Sequence, residues 1–287
     1  MKVLLTGANG QLGNCFQDRK PAGWEVWATD SNVLDITNLA KLKKAVADFQ
    51  PDFIVNAAAY TAVDKAEAEC DIAALINEHG PKNLALAANE AGARLVHVST
   101  DYVFDGEADT PYIETATTNP LGVYGKTKLD GEIAVALIQP EALIIRTAWV
   151  FSEYGNNFVK TMLRLAQGRD TLGVVSDQSG CPTYAGDIAQ AIIVLLQQKA
   201  AGGVYHFCGD ETVTWSGFAE AIFSSALTLG VLEKSPVVNR ITTAQYPTPA
   251  KRPKYSVLDC NKITSEGVTL SPWRERIGSV IAACQNK

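Results

Sequence analysis

The chain has 287 residues, of which 47% are hydrophobic and 20% charged, with 25 basic against 31 acidic side chains and a formal net charge of -6. This composition is typical of a folded globular protein and excludes disordered, collagen-like and disulfide-stapled classes. At roughly 150 residues per domain, the length allows one large domain or two packed ones. The acidic balance argues against a general nucleic-acid binder, because nonspecific binding to phosphates needs a basic face.

The six cysteines are spread along the chain without any Cys-x-x-Cys pair, so their spacing predicts neither a zinc knuckle nor a redox motif. The three histidines, His79, His97 and His206, have no metal-ligand spacing either. The apolar run at the N-terminus is too short for a signal peptide, and no stretch of about 18 apolar residues indicates a membrane span. We therefore expect a cytoplasmic protein with reduced thiols.

Short apolar strands alternate with helical segments through the first half of the chain, which is the pattern of a parallel sheet covered by helices on both faces. The predicted strands are residues 3–6, 25–29, 53–56, 94–99 and 143–147. The predicted helices are residues 11–18, 38–49, 72–91 and 124–137. The order of these elements predicts an α/β fold with a Rossmann-like, doubly wound parallel sheet of about five or six strands.

The second half of the chain has a looser pattern. Strands are predicted at 172–175 and 204–207, some of them extending the same sheet, and helices at 158–167 and 188–197. Residues 233–255 contain four prolines and are predicted to be extended or looped, and a closing helix is predicted at 273–284. We assign residues 1–150 with about 184–210 to a sheet domain, and about 151–183 with 211–287 to a smaller C-terminal substrate-binding subdomain.

Three glycines, Gly7, Gly10 and Gly13, lie between the first predicted strand and the first predicted helix. Glycines at this place allow a tight turn and bring backbone amides close to a pyrophosphate at the helix N-terminus. The spacing is Gly-x-x-Gly-x-x-Gly, and three glycines in such a loop can also be turn chemistry alone. The order strand, loop and helix favours a dinucleotide site.

Acidic residues near the second strand suggest which cofactor binds. Asp30 ends that strand, where a carboxylate can accept hydrogen bonds from ribose hydroxyls and would repel a 2'-phosphate, so it favours NADH or dual use over strict NADPH. The alternative is an ordinary turn aspartate. Asp35 and Ile36 are candidates for the adenine pocket by the same logic.

Tyr124 and Lys128 are four residues apart, so on a helix they share one face. An ammonium beside a phenol lowers the pKa of the phenol, which prepares Tyr124 to exchange a proton with a carbonyl or an alcohol. The alternative is a surface Tyr-Lys pair. Ser99 and Thr100 end a predicted strand, and the carboxyl ends of strands form the ligand crevice in doubly wound folds. A hydroxyl, a phenol and an ammonium are therefore expected to converge.

Together these motifs resemble the extended short-chain dehydrogenase/reductases. The shared motifs are Thr6-Gly7-x-x-Gly10-x-x-Gly13, Asn56-Ala57-Ala58-Ala59, Ser99-Thr100-Asp101 and Tyr124-x-x-x-Lys128. Longer strings resemble, more narrowly, the dTDP-4-dehydrorhamnose reductase family. They are residues 10–13, 59–67, 99–106, 146–151 and 180–183, with Arg252-Pro253, so the resemblance covers nearly the whole chain.

The resemblance implies a role for each matched residue. Tyr124 would donate a proton to the C4 keto oxygen of a sugar, Lys128 would bind the nicotinamide ribose and tune Tyr124, and Thr100 would hydrogen-bond the reacting oxygen. The implied cofactor-binding residues are Gly7, Asn9, Gly10, Gln11, Leu12, Asp30, Asp35, Ile36, Ala57, Ala58, Ala59, Tyr60, Ser99, Tyr124 and Lys128. The implied substrate-binding residues are Val63, Asp64, Thr100, Tyr102, Trp149, Asn157 and Arg252.

Two of these substrate assignments have structural alternatives. Arg252 suits a substrate diphosphate, since a planar guanidinium makes bidentate contacts. It can also be a solvated loop cation beside Lys251 and Lys254. Asp64 can simply be an acid at the positive end of a helix.

The activity implied is NAD(P)H-dependent reduction of the C4 keto group of dTDP-4-dehydro-β-L-rhamnose to dTDP-L-rhamnose, the last step in making this donor for cell-surface polysaccharides. Two alternatives stay open. One is a non-catalytic NAD(P)-binding regulatory subunit of the methionine adenosyltransferase type, and the other is a reductase or epimerase of another nucleotide-linked sugar. A nucleotide-sugar dehydratase is disfavoured, because Asp101 is followed by Tyr102 where dehydratases of this superfamily have a glutamate.

One departure from the family concerns metal. Members have a magnesium ion at a dimer interface held by glutamates, and one of those positions is Cys15 here. A thiol is a poor ligand for a hard cation that prefers oxygen, so we predict no metal site. A homodimer is left open.

Overall fold

The computed structural model describes residues 1–285. Its first half is built from the following elements: β1 (Lys2–Thr6), α1 (Gln11–Arg19), β2 (Glu25–Thr29), α2 (Leu39–Phe49), β3 (Phe53–Asn56), α3 (Val63–Ala66), α4 (Cys70–Ala74), α5 (Gly80–Ala91), β4 (Arg94–Thr100), α6 (Val123–Ile138) and β5 (Leu143–Thr147). The five strands predicted in this half are confirmed, and the two whose bounds differ begin or end one residue away.

The second half adds β6 (Val150–Phe151), α7 (Phe158–Ala166), β7 (Thr171–Val175), β8 (Ser179–Gly180), β9 (Thr183–Tyr184), α8 (Ala185–Gln198), β10 (Gly203–His206), β11 (Val213–Thr214), α9 (Trp215–Thr228), β12 (Val237–Ile241), α10 (Asn261–Ser265) and α11 (Trp273–Gln285). The closing helix predicted from its amphipathic pattern is α11.

The central sheet has six parallel strands in the order β10-β5-β4-β3-β1-β2. This confirms the predicted doubly wound α/β fold. The strand order reverses beside β1, with β2 on one side of it and β3 on the other. Ligands bind outside the carboxyl ends of the strands at such a reversal. The topology therefore directs attention to the segments that follow β1 and β3.

The two strands predicted after β5 have different fates. β10 extends the central sheet by pairing with β5, as predicted for some of these strands. β7 does not join it and instead pairs in parallel with β12 in a small separate sheet. β12 lies within residues 233–255, which were predicted to be extended or looped. The partner of a short strand depends on tertiary position, which periodicity does not encode.

One predicted helix is interrupted. Residues 72–91 were predicted as a single helix, but a π-helical turn at Leu75–His79 separates α4 from α5. The wider turn places Asn77 inward, where its side chain bonds the backbone of Tyr60. Local π-helical turns are frequent at functional sites because they redirect a side chain without ending the helix.

Apolar side chains form three clusters. Two of them lie on the two faces of the central sheet, and the strand residues alternate between them: Leu5, Val55 and Ile145 face one cluster, and Leu4, Ile54 and Ile144 face the other. The third cluster is formed mainly by α7, α9 and α11, and its largest buried side chain is Trp273. The C-terminal part of the chain thus has a hydrophobic core of its own.

A buried histidine supplies a test of this packing. His206 is fully buried at the end of β10, and burial beside the Arg146 guanidinium lowers the pKa of His206 to about 3. When a histidine is held neutral in the native state, the protein loses stability as the pH falls below the pKa of that histidine in the unfolded chain. The loss is about 1.4 kcal/mol per pH unit. We expect the free energy of unfolding to fall more steeply between about pH 6.5 and 4 than in a His206→Gln variant.

Urea unfolding of both proteins at several pH values in this range measures the difference. The exposed His79, replaced in the same way, is the control and should leave the wild-type pH dependence unchanged. Identical pH dependence in the wild type and His206→Gln would contradict a neutral, buried His206.

Candidate active site

The glycine loop packs directly against the segment that follows β3. Gly7 has a φ of 70°, and a Cβ there would lie 2.5 Å from the Ala58 nitrogen. A Cβ on Gly13 would overlap the Gly7 carbonyl oxygen. Gly10 is the N-cap residue of α1, and within residues 1–285 no side chain caps the start of this helix. The amides of the first turn of α1 are thus presented at the reversal of strand order, as a phosphate site requires.

Asp30 forms the turn considered as the alternative, and its side chain also reaches the glycine loop. Its Oδ1 accepts hydrogen bonds from the backbone nitrogens of Asn32 and Val33, at 3.0 and 3.1 Å, which is an Asx-type turn. Its Oδ2 accepts a 2.6 Å hydrogen bond from Asn9 Nδ2 of the glycine loop. The carboxylate of Asp30 therefore borders the predicted cofactor groove while it also stabilises the turn.

The two candidates for the adenine pocket lie just beyond this turn. Asp35 Oδ1 accepts from the backbone nitrogen of Thr37 at 2.9 Å, and Asp35 itself is exposed. Ile36 is buried and packs closely on Gly80 at the start of α5. In the structure Asp35 supports a turn and Ile36 supports helix packing.

The segment from Ala57 to Tyr60 is held in place by two asparagines. Asn56 Oδ1 accepts from Thr6 Oγ1 at 2.8 Å and from the Ala58 nitrogen at 3.1 Å, which links the ends of β1 and β3. Asn77 accepts from the Tyr60 nitrogen at 2.8 Å and donates to the Tyr60 oxygen at 3.0 Å. Asn77 was not predicted from the sequence, because its position looked like an ordinary turn of a continuous helix.

Thr100, Tyr124 and Lys128 converge at the carboxyl end of β4. Thr100 is the last residue of β4, and α6 carries Tyr124 in its first turn and Lys128 one turn later. The Thr100 hydroxyl lies near the Tyr124 phenol and lowers the pKa of Tyr124. Lys128 is buried, and its Nζ donates a 2.6 Å hydrogen bond to the Val98 oxygen of β4. The predicted convergence is present, and the close approach of α6 needs Gly125, where a Cβ would overlap the Tyr102 oxygen.

One electrostatic expectation was wrong. Tyr124 was expected to have a lowered pKa because of Lys128, but desolvation raises the pKa of Tyr124 to about 12, against the lowering effect of Thr100. Burial also lowers the pKa of Lys128 to about 8. The physical reason is that both groups lie in a poorly solvated cleft and the ammonium faces the Val98 carbonyl.

Asp64 and Arg252 are far apart in the chain and meet in the structure. Arg252 donates from Nη1 to Asp64 Oδ1 at 3.0 Å and from Nη2 to Oδ2 at 2.8 Å. The hydrogen bond from Arg252 lowers the pKa of Asp64. Arg252 is therefore not a solvated loop cation, and Asp64 is more than an acid at a helix start. Val63 begins the same short helix, α3, so the pair links α3 to the C-terminal part of the chain.

Trp149 forms one wall of an aromatic site. It is a non-glycine residue with a φ of 46°, and its ring stacks on Trp215 with centroids 3.5 Å apart. Trp215 also contacts Phe158, and both line a cavity of about 350 Å³ together with Arg252. Tyr246 and Gln178 are also among its lining residues. These four additional residues were missed, because aromatic residues are spread over the whole chain and gave no local signal.

Tyr102 and Asn157 occupy different places. Tyr102 lies edge-on to Tyr124, with ring centroids 5.5 Å apart, and it interacts electrostatically with Arg252. Asn157 caps α7 and donates to Gln11 Oε1 at 2.9 Å. Asn157 thus joins the C-terminal part to the glycine loop. Of the other predicted substrate residues, Arg252 lines the cavity and Thr100 lies near Tyr124.

Comparison with known proteins identifies the family. The sequence model described as the RmlD substrate binding domain matches residues 1–286. A dTDP-4-dehydrorhamnose reductase of Aggregatibacter actinomycetemcomitans is 47% identical, and the alignment covers 98% of each chain. The chain belongs to the dTDP-4-dehydrorhamnose reductase family.

Solved structures of dTDP-4-dehydrorhamnose reductases agree with the assignment. The crystal structure of the Clostridium acetobutylicum protein is 44% identical and superposes with a TM-score of 0.93, covering 99% of this chain and 100% of that one. The Bacillus anthracis protein, solved in complex with NADP, is 38% identical with a TM-score of 0.92 and covers 98% of both chains. The resemblance stated from the motifs is confirmed.

Two further observations concern metal ions and membranes. Cys15, for which we predicted no role in a metal site, is fully buried on the core-facing side of α1. Within residues 1–285, no group of three or more His, Cys, Asp or Glu side chains is arranged to hold a metal ion. In the same part of the chain, no helix is long and apolar enough to cross a membrane.

Proposed function

We propose that the chain reduces the C4 keto group of dTDP-4-dehydro-β-L-rhamnose with NADPH or NADH, giving dTDP-L-rhamnose. The observation that carries the proposal is the convergence of Thr100, Tyr124 and Lys128 beside the glycine loop, in a member of this family. A regulatory nucleotide-binding protein has no need for this set, because it moves no proton.

The residues around the glycine loop fit a dinucleotide. A Cβ on Gly7 or Gly13 would overlap backbone atoms, so the inner side of the loop is closely packed. The outer side of the loop is exposed at Gly10. The buried hydroxyl of Ser99 lacks a hydrogen-bond partner within residues 1–285 and lies at the end of β4. When bound, the reduced nicotinamide supplies the hydride. The Gly7–Gly13 loop would hold the pyrophosphate, Asp30 the adenosine ribose, and the Ala57–Tyr60 segment the middle of the cofactor.

The proton comes from the protein. Because the pKa of Tyr124 is about 12, the phenol is protonated at neutral pH and can donate to an oxygen that becomes an alkoxide. Lys128, with a pKa of about 8, carries a positive charge at pH 7 that favours the phenolate left behind. A hydrogen bond from Thr100 to the C4 oxygen would stabilise the charge that develops there.

The cavity beside Trp215 is our candidate for the nucleotide of the substrate. Its aromatic rings, from Phe158, Trp215 and Tyr246, offer faces for a pyrimidine base, and Arg252 offers a fork for a diphosphate. The bidentate contact with Asp64 keeps that fork oriented. We accordingly propose that residues 1–150 with about 184–210 bind the cofactor, and that about 151–183 with 211–287 bind the sugar nucleotide.

A turnover experiment tests this function. The protein is given enzymatically prepared dTDP-4-keto-6-deoxy-L-mannose with NADH and NADPH in parallel, each with and without EDTA. We expect oxidation of the cofactor, formation of dTDP-L-rhamnose and no effect of EDTA. Binding of NADPH without consumption across a panel of dTDP-linked keto sugars would instead favour the regulatory role. We also propose a cytoplasmic location and a homodimer, and light scattering after gel filtration tests the homodimer.

Replacing Arg252 with methionine tests the nucleotide site. The change removes the charge and keeps much of the aliphatic length, so we expect the KM for the dTDP-sugar to rise at least about tenfold, as for loss of a charge-assisted hydrogen bond. The kcat should change less, because the diphosphate that Arg252 would hold does not take part in the reaction at C4. Steady-state kinetics with varied sugar nucleotide measures both. Lys251→Met, at an exposed neighbouring position, is the control. An unchanged KM in Arg252→Met would remove Arg252 from the site.

A further inference from the structure

The proposed reaction and the structure give the hydroxyl hydrogen of Thr100 two different acceptors. The C4 keto oxygen of the substrate accepts hydrogen bonds and donates none, so Thr100 must donate its hydroxyl hydrogen to it. In the structure that hydrogen is already used, because Thr100 Oγ1 donates to Asp101 Oδ1 at 3.0 Å. The Thr100 oxygen also accepts from the Tyr102 nitrogen at 3.2 Å, which fixes its orientation. A hydroxyl has one hydrogen.

Asp101, which accepts that hydrogen, has an unusual environment for a carboxylate. Its side chain is buried, and Oδ2 has no hydrogen-bond partner within residues 1–285. Within residues 1–285, Asp101 forms no salt bridge with a lysine, arginine or histidine. The titratable side chains that interact with it include Tyr102 next in the chain, Tyr124 from α6 and Cys181 after β8. The hydroxyl of Ser256 approaches from the segment before α10. A carboxylate without a nearby cation is costly to bury.

We propose that Asp101 is a positioning residue of the reaction, and that its charge decides whether the Thr100 hydrogen is held by the protein or donated to the C4 oxygen of the substrate. An ionised carboxylate holds the hydrogen through a charge-assisted hydrogen bond, which is about twice as strong as a neutral one. A neutral carboxyl either donates to Thr100 or accepts weakly, and in both cases Thr100 can turn its hydrogen to the substrate. This inference rests on the proposed function.

The proposal predicts a pH dependence of known sign. Burial raises the pKa of Asp101 to about 6, against the lowering effects of Ser256 and Thr100. As the pH rises through this range, Asp101 becomes ionised and withdraws the Thr100 hydrogen. Loss of one donor to a developing oxyanion lowers kcat by about 10²- to 10³-fold in other enzymes, so we expect a fall of at least about tenfold here. The kcat is measured only at pH values below the pKa of Lys128, which is about 8.

The experiment measures kcat of the full chain with saturating NADPH and dTDP-4-keto-6-deoxy-L-mannose between about pH 5 and 7.5. For the wild type we expect kcat to fall with rising pH. For Asp101→Asn, which stays neutral, we expect a flat profile. Asp105→Asn is the matched control, because this aspartate lies four residues away, contacts Tyr112 and Asn119, and should keep the wild-type profile.

Variants of Thr100 separate a positioning role from a structural one. If Asp101 acts through Thr100, we expect the kcat of Thr100→Val to be independent of pH and the kcat of Thr100→Ser to fall with rising pH as in the wild type. Adding Asp101→Asn to Thr100→Val should not change the kcat further. These two Thr100 variants also decide the matter if Asp101→Asn fails to fold. If the kcat of Thr100→Val or of folded Asp101→Asn falls with rising pH as in the wild type, the inference about Asp101 is wrong and the proposed function is unaffected. A wild type that turns over no keto nucleotide sugar would overturn the proposed function and this inference with it.

Discussion

Replacing Tyr124 with phenylalanine is expected to lower kcat by about 10²- to 10⁴-fold, which is the usual contribution of a positioned general acid. The change removes one oxygen and keeps the ring that packs edge-on against Tyr102. The binding of NADPH should therefore be nearly unchanged, as should the free energy of unfolding. The measurement is single-turnover oxidation of NADPH in the presence of the dTDP-keto sugar, together with a binding titration of the cofactor.

Tyr205→Phe is the matched control for this prediction. The Tyr205 hydroxyl donates to the Ala201 oxygen near the edge of the sheet, at 2.9 Å, so its removal should leave turnover unaffected. Full turnover by Tyr124→Phe would show that the proton comes from another group. Equal losses in both variants would point to a general effect of losing a buried hydroxyl.

The second large effect is expected from Gly13→Ala. The new methyl group would overlap the Gly7 oxygen and lie 2.7 Å from the Ala8 backbone, and these atoms belong to the loop that is to hold the pyrophosphate. Overpacking of this kind typically costs about 1–3 kcal/mol. If the displaced loop must return to its original shape to bind the cofactor, this cost lowers the affinity roughly tenfold to hundredfold. We expect the Kd for NADPH to rise by at least about tenfold, measured by fluorescence titration.

Gly23→Ala separates the loss of binding from the loss of stability. Gly23 has a φ of 85° and no atom within 4 Å of an added Cβ, so alanine there strains only the backbone of an exposed turn. Its free energy of unfolding should fall while NADPH binding stays at the wild-type level. If Gly13→Ala binds NADPH as tightly as the wild type, the glycine loop is not the pyrophosphate site.

Several features of the fold followed from sequence patterns, for identifiable reasons. The strands β1 to β5 are short apolar runs bounded by glycine, proline or polar residues, and such runs have few alternatives once they alternate with helices. The glycine loop and the Tyr124-Lys128 pair are local in sequence, so their spacing alone specified their geometry. The interruption at Leu75–His79 was not predictable, because a π-helical turn leaves the local apolar pattern nearly unchanged.

The substrate side of the site was predicted less completely. Arg252 and Asp64 were selected only through the family resemblance, and their ion pair spans 188 residues of sequence. Trp215, Phe158 and Tyr246 were not selected at all, because an aromatic residue in a helix or loop is usually part of a core. Their meeting around one cavity depends on how α7, α9 and the loop near Arg252 pack.

By itself, the amino-acid sequence determined that this is an acidic α/β protein of 287 residues with a dinucleotide loop and a Thr100, Tyr124, Lys128 set. Only the tertiary structure decided the charge states in that set: the cleft raises the pKa of Tyr124 to about 12 instead of lowering it, lowers the pKa of Lys128 to about 8, and buries Asp101 against Thr100. The physical reason is that spacing along a helix defines which groups are neighbours. The free energy of a charge depends on the solvent and dipoles that the whole fold places around it.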